Sequence, residues 1–362
     1  MASLYACIMA GGKGERFWPL SRSSRPKQLL AIAGPQPMIA GVAELNAQLV
    51  PPGRLFVVTT QEQAAAIRAA LPAVPADNVI AEPCGRNTAP CIGLVAALVS
   101  ARDPGAVLAV VPADHCIPDR DVYARTMRDA AAVAEREHAL LTIGIEPRYA
   151  ETGYGYIAAG ERVAFPGATV FSRVKQFIEK PSRDKAEALI AGGGVFWNAG
   201  MFVFRAEDML AAFRRFLPEF APALDAIRAS AGGEGRDAAI RAAYDAAPAI
   251  SIDYAVMEKA DNAIVAHGAF AWDDVGSWTS VGAYWQQHPG GNAVKGDAAL
   301  IDAENCIIGN EAAGVIGVLG VKDLIVVRTG DAVLVCHRDR AQDVKKIVQK
   351  LREQPGGSSL VD

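Results

Sequence analysis

Three glycines and five cationic side chains stand within residues 9–30, MAGGKGERFWPLSRSSRPKQLL, directly behind the apolar run 4–9. A strand feeding a glycine-rich, positively charged loop is a phosphate cradle. Gly11, Gly12 and Gly14 let backbone N–H groups approach oxygens closely and take positive φ where needed, while Lys13, Arg16, Arg22, Arg25 and Lys27 supply charge. Two familiar phosphate loops fail on spacing. The Walker A pattern and the dinucleotide fingerprint both need glycine where this chain has Phe17. A tight turn carrying a solvated basic loop is the plain alternative.

Carboxylates supply the second chemistry. Asp114 follows the buried-type run 107–111 and a Pro-Ala turn, a position suited to holding a divalent cation and equally to capping a helix or forming a turn. Asp273 and Asp274, between Trp272 and Val275, are costly unless solvated or metal-bound, with a plain turn again the competitor. One metal between Asp114 and a member of this pair explains acids beside a phosphate cradle, since bare carboxylates repel the ligand. EPCGRNTAP, residues 82–90, is a rigid turn entering a helix with Asn87 and Thr88 as candidate caps. ETGYGYI (151–157), FIEKP (177–181) and WNAGMF (197–202) set polar groups beside aromatic or glycine residues, which suits sugar hydroxyls; each alone also fits a hairpin or strand end. The five histidines show no metal-ligand spacing and there is no G-x-S-x-G elbow, so histidine-base or nucleophilic hydrolysis has no support.

These groups need a frame. β-prone runs at 4–9, 55–59, 107–111 and 140–145 alternate with helical stretches near 61–71, 89–101 and 122–137. Such alternation predicts a mainly parallel sheet covered on both faces, with ligands at the carboxyl ends of its strands, where the glycine loop and Asp114 share one cleft. After about residue 290, five short β-prone runs (298–301, 306–308, 314–318, 324–327, 332–336) predict a small β-rich domain, closed by an amphipathic helix over 342–352. The expected division is 1–289 and 290–362, with 289–291 as linker and the tail 355–362 frayed. No repeat is evident.

The chain has 362 residues, 51% hydrophobic and 21% charged, with net charge −4, enough for a full core and unlike a general nucleic-acid or anionic-membrane binder. Six scattered cysteines without a C-x-x-C pair, no signal-peptide pattern and no apolar run of the roughly 18 to 20 residues that span a membrane predict a reduced, cytoplasmic protein.

Taken together, these elements resemble the sugar-nucleotide pyrophosphorylases and, among them, the bacterial mannose-1-phosphate guanylyltransferases. The loop pattern GGxGxRxWPLSRxxxPKQ is met at Gly11, Gly12, Gly14, Arg16, Trp18, Pro19, Leu20, Ser21, Arg22, Pro26, Lys27 and Gln28. EPxxRNTAP, PADH, ETGYGYI, FxEKP, WNxGMF and WxDVGSW follow in the family's order, and residues 323–336 and 339–345 extend the resemblance over nearly the whole chain.

The resemblance implies an α/β fold: a Rossmann-like nucleotidyltransferase core with a mixed, mainly parallel sheet plus the small β-rich C-terminal domain used in homodimer contacts. It implies that GTP and α-D-mannose 1-phosphate give GDP-mannose and pyrophosphate with Mg²⁺. Gly11, Gly12, Gly14, Arg16 and Lys27 would hold the triphosphate, with Glu82, Asn87 and Thr88 near the guanosine. Asp114 and Asp274 would bind the metal, Asp274 being preferred to Asp273 because it precedes Val-Gly. Gly155, Glu179 and Asn198 would contact mannose, and Lys180 its phosphate. Lys13, Arg22 and Arg25 are expected to shape the loop or its field. A chain ending at Asp362 leaves no room for the isomerase domain of some relatives, which predicts a single activity. The same reaction with another base or sugar, or a silent sugar-nucleotide binder, are the competing readings.

Overall fold

Residues 2–362 are described by the structure, a computed structural model. Nine strands form the main sheet: β1 (Leu4–Ala10), β2 (Leu55–Thr60), β3 (Val79–Glu82), β4 (Val107–Pro112), β5 (Leu140–Ile145), β6 (Tyr156–Val163), β7 (Phe171–Ile178), β8 (Val195–Arg205) and β9 (Ala263–Gly268). Their order is β3-β2-β1-β4-β8-β5-β9-β7-β6. β1 is parallel to β2 and β4, and β5 to β9, while β8 runs antiparallel to both β4 and β5. The α/β core with a mixed sheet is thus as expected.

Strand period explains the two-sided burial. Along β1, Ala6, Ile8 and Ala10 enter one apolar core while Tyr5 and Cys7 enter the other, so an unbroken apolar run is what this position requires. The first core takes one face of the helix Arg120–Glu137 through Tyr123, Met127, Ala130 and Val133. The second surrounds the helix Thr88–Arg102, which is buried along most of its length.

The C-terminal strands are β10 (Gln286–His288), β11 (Asn292–Lys295), β12 (Ala298–Ile301), β13 (Ile307–Asn310), β14 (Ile316–Leu319), β15 (Leu324–Arg328) and β16 (Val333–His337). β11, β13 and β15 stack in parallel, as do β12 and β14, so successive coils of chain lie on one another. Residues 289–291 are not a linker. Gly290 and Gly291 take φ of 77° and 71° in the tight turn between β10 and β11, which pair antiparallel.

A third core corrects the picture of an appendage. Phe17, Trp18, Leu20 and Leu30 of the glycine loop pack with Trp278 and Trp285 and, across into the C-terminal domain, with Ile307, Ile325, Val344 and Val348, so the loop takes part of its apolar support from that domain. The tail is docked rather than frayed: Trp18 Nε1 donates to Leu360 O at 2.9 Å and Ser23 N to Val361 O at 3.0 Å. No described helix is long and apolar enough to cross a membrane.

Candidate active site

β1 and β4 lie side by side and end together, Met9 opposite Pro112, so the glycine loop and the segment carrying Asp114 leave the sheet at one edge. The loop then folds across itself. Gly14 takes φ 64°, and a Cβ there would lie 2.4 Å from Lys27 Cβ, so the crossing admits only glycine. Gln28 Nε2 ties the loop down by donating to Ala10 O at 2.9 Å and Gly12 O at 3.1 Å.

The distant acids arrive through a backbone bridge. Cys116 and Asp273 pair antiparallel, with Cys116 N donating to Asp273 O at 2.9 Å and Asp273 N to Cys116 O at 3.1 Å. Asp114 lies two residues before this bridge and Asp274 one after it, which brings both to Lys27. Lys27 Nζ donates to Asp114 Oδ2 at 2.7 Å and to Asp274 O at 2.6 Å. Asp273 has a structural task instead: its Oδ1 accepts from Val275 N at 2.7 Å and its Oδ2 from Tyr284 OH at 3.0 Å. That turn holds Val275 at φ 46°, a strained conformation for a β-branched residue.

A cavity of about 450 Å³ opens on these groups, lined by Lys13, Arg16, Lys27, Asp114, Asp274 and Lys345 among others. Burial raises the Asp114 carboxyl, but the Lys27 ammonium and His115 more than offset this and leave it below its usual range. Burial pushes Asp274 up, against Tyr154 and Lys27. His115 is pushed down to about 4 by burial and is neutral near pH 7, its Nδ1 accepting from Trp272 Nε1 at 3.1 Å.

The donor set fits a hard cation. Asp274 Oδ1 accepts from Tyr154 OH at 2.6 Å, whereas its Oδ2 has no hydrogen-bond partner among the described residues. No group of three or more His, Cys, Asp or Glu suited to a metal occurs among those residues. A divalent ion here would rest on Asp114 and Asp274 and complete its shell with oxygens of a ligand, as phosphate-bound Mg²⁺ does.

The five loop cations divide differently from expectation. Arg22 turns away, donating to Pro19 O and to Asp331 Oδ1 at 2.9 Å, and Arg25 faces Glu311 at 3.8 Å. Lys13, expected merely to shape the loop, lines the cavity with Arg16, and neither has an acidic partner among the described residues.

Arg16, Asp274 and Gly276 also line a second cavity of about 390 Å³, which is bounded further by Tyr149, Glu151 and Tyr154. Behind Tyr154, Gly155 stands where a Cβ would be 2.9 Å from Glu179 Oε2 and 3.5 Å from Asn198 Cβ. Asn198 Oδ1 accepts from Thr142 Oγ1 at 3.0 Å and its Nδ2 donates to Asp253 Oδ1 at 2.8 Å; Lys180 Nζ donates to Glu179 Oε1 at 2.5 Å. The four sugar-side candidates therefore form one cluster. Asp253, whose carboxyl burial raises, completes it and escapes sequence reading because it is a lone acid inside ISIDYAVM. Tyr154 and Lys345 escape it as well: the first is one of several polar groups in ETGYGYI, and the second has no signal tying it to residues 9–30.

Glu82 ends β3 beneath the loop, its Oε2 facing Gly11 and its Oε1 accepting from Tyr244 OH. Asn87 takes φ 69° and caps the adjoining helix through Thr88 N, while Thr88 Oγ1 accepts from Ile252 N at 2.8 Å. Burial pushes the Glu82 carboxyl from 4.5 up to about 7. Between these values the native state keeps a proton that the unfolded chain has released, so this group's contribution to stability falls as pH rises through that window. Glu82→Gln should therefore gain up to about 3 kcal/mol on wild type between pH 4.5 and 8, by chemical denaturation. A difference that stays flat with pH refutes the protonated state.

The chain is similar to known proteins over nearly its whole length. The nucleotidyl transferase family profile matches residues 5–289, and that of the MannoseP isomerase/GMP-like beta-helix domain matches 296–351. The xanthan biosynthesis protein XanB of Xanthomonas campestris pv. campestris (strain B100) is 39% identical over 358 residues, covering 97% of this chain and 74% of that protein. A mannose-1-phosphate guanylyltransferase of Klebsiella pneumoniae is 37% identical over 357 residues, with the same 97% and 74%. A crystal structure from Thermus thermophilus, described as a mannose-1-phosphate geranyltransferase, superposes with a TM-score of 0.85 at 36% identity, covering 97% of this chain and 99% of that one.

Proposed function

The chain belongs to the nucleotidyl transferase family and resembles its mannose-1-phosphate guanylyltransferases over nearly its whole length, and from that premise we infer that it joins GTP and α-D-mannose 1-phosphate to give GDP-mannose and pyrophosphate. The observation that carries this reading is the meeting of Lys27, Arg16, Asp114 and Asp274 in one cavity at the carboxyl ends of β1 and β4.

The chemistry asks for position rather than for a base. A sugar phosphate is largely dianionic at neutral pH, its second pKa being roughly 6, so the attacking oxygen arrives deprotonated. The neutral His115, with Nδ1 already accepting from Trp272, agrees with a site that transfers no proton. Attack at the α-phosphorus in line with the leaving pyrophosphate needs both substrates held fast and the departing charge met by cations. Backbone N–H groups of Gly11, Gly12 and Gly14 cradle the triphosphate, and Arg16 and Lys27 face the charge that develops on the leaving group. Glu82, Asn87 and Thr88 are assigned to the guanosine side; Gly155, Glu179, Lys180 and Asn198 to mannose 1-phosphate. Proteins of this family use a divalent metal. Mg²⁺ on Asp114 and Asp274 would supply charge neutralisation at the phosphates. The homodimer reading is supported by Ile301 and Leu319, which are 60% and 68% exposed on neighbouring strands of the C-terminal domain.

A grid of four nucleoside triphosphates against several sugar 1-phosphates, read as divalent-dependent pyrophosphate release, tests the assignment. GTP with mannose 1-phosphate should exceed every other pair. A preference for another pair moves the specificity, and no turnover with any pair removes the enzymatic reading.

A further inference from the structure

The helix Val344–Arg352 belongs to the C-terminal domain, yet its first turn reaches the glycine loop: Lys345 lines the same cavity as Lys13, Arg16 and Lys27. Packing fixes this placement. Val344 and Val348 are buried in the third core with Phe17 and Trp18, and Arg352 Nη1 donates to Glu15 Oε1 at 2.7 Å. Three of the acids nearby are engaged by other cations, and Asp274, on the same cavity, pairs with Tyr154 rather than with Lys345. Glu15 takes Arg352, Asp114 takes Lys27, and Asp343 takes Arg340 at 2.5 Å and Lys346 at 2.7 Å. Lys345 has no acidic partner among the described residues, and its charge is left for an anion from outside.

Resting on the guanylyltransferase reading, we propose that Lys345 is a triphosphate-binding residue that contacts the outer phosphates of GTP and the pyrophosphate formed from them. The two cavities argue for the outer phosphates. Arg16, Asp274 and Gly276 line both; the second runs on to Glu151, Gly153 and Tyr154, the residues that lead in sequence to the sugar-side candidate Gly155, whereas Lys345 shares with Lys13 and Lys27 the first alone. A triphosphate bridging both cavities would put its α-phosphate near the shared groups and its outer charge against Lys13 and Lys345. The C-terminal domain then completes the substrate site as well as supporting the loop.

The test is Lys345→Ala and Lys345→Arg, with Lys350→Ala on the same helix as control, measuring KM for all four substrates and the Kd of pyrophosphate by titration calorimetry. Lys345→Ala should raise the KM of GTP and both constants for pyrophosphate roughly tenfold, leaving mannose 1-phosphate and GDP-mannose within about twofold. Lys345→Arg should recover most of the loss, and Lys350→Ala should match wild type. GTP and pyrophosphate constants within about twofold of wild type in Lys345→Ala overturn the proposal. If wild type instead turns over a different triphosphate, or none, the guanylyl reading fails while the pyrophosphate titration still judges Lys345.

Discussion

Lys27→Ala is expected to lower turnover at least about 100-fold while the protein stays folded. The Lys27 side chain is 7% exposed, and its ammonium is held by Asp114 Oδ2 and Asp274 O and lies 5.5 Å from the centre of the Phe17 ring. A cation fixed there before substrate arrives needs no reorganisation when charge moves onto pyrophosphate, so its loss should fall mainly on kcat. The fold should survive because Asp114 is half-buried in an open cleft, where water can take over part of the lost pairing. Lys27→Arg should not restore the rate. The slot is closed by Phe17 on one side and by the Gly14 crossing on the other, and a planar fork cannot reproduce a point charge shared between two oxygens. Steady-state kinetics beside a thermal unfolding curve decide the matter. A folded Lys27→Ala protein within about tenfold of wild-type turnover removes Lys27 from the leaving-group side.

What the sequence could disclose follows from the range of the forces involved. The strands β1, β2, β4 and β5 were legible because apolar runs between turn residues report local burial, and the one cleft followed from where those runs end. The loop's dependence on the C-terminal domain was hidden: Phe17 and Trp18 look like any aromatic pair, and nothing local says that Val344 and Val348 cover them. The stacked coils were hidden too, because Ala293 pairs with Ile307 and Ile307 with Ile325, unequal steps that leave no fixed period. The sugar-side motif WNAGMF lies in an 11-residue strand running against its neighbours, with Gly200 at φ 64° inside it, an arrangement set by pairing rather than by propensity. Lys345 closes the family stretch 339–345 but nothing local ties it to the glycine loop, and Asp253 is a lone acid. Their placement depends wholly on which distant surfaces meet.

Asp274→Asn should likewise reduce turnover at least about 100-fold and weaken binding of Mn²⁺ together with GTP, while Asp273→Asn should act mainly on stability. The contrast rests on what each carboxylate already holds. Asp273 has both oxygens committed, one to Val275 N and one to Tyr284 OH, and its backbone forms the bridge to Cys116. An asparagine can keep the first bond but cannot accept from the tyrosine with its NH₂, a loss of about 1 to 2 kcal/mol. Asp274 keeps Oδ2 free toward the cavity, packed so close to Gly276 that a Cβ there would lie 2.8 Å away. Neutralising this acid removes a charge that burial already disfavours, so the thermal midpoint should hold while the divalent ion loses one of its two protein anions. Titration calorimetry and electron paramagnetic resonance of Mn²⁺ separate the two variants without relying on rate. Were Asp273→Asn to abolish metal binding with Asp274→Asn unaffected, the metal assignment would pass to Asp273, and the Val275 turn would have to open to release its carboxylate.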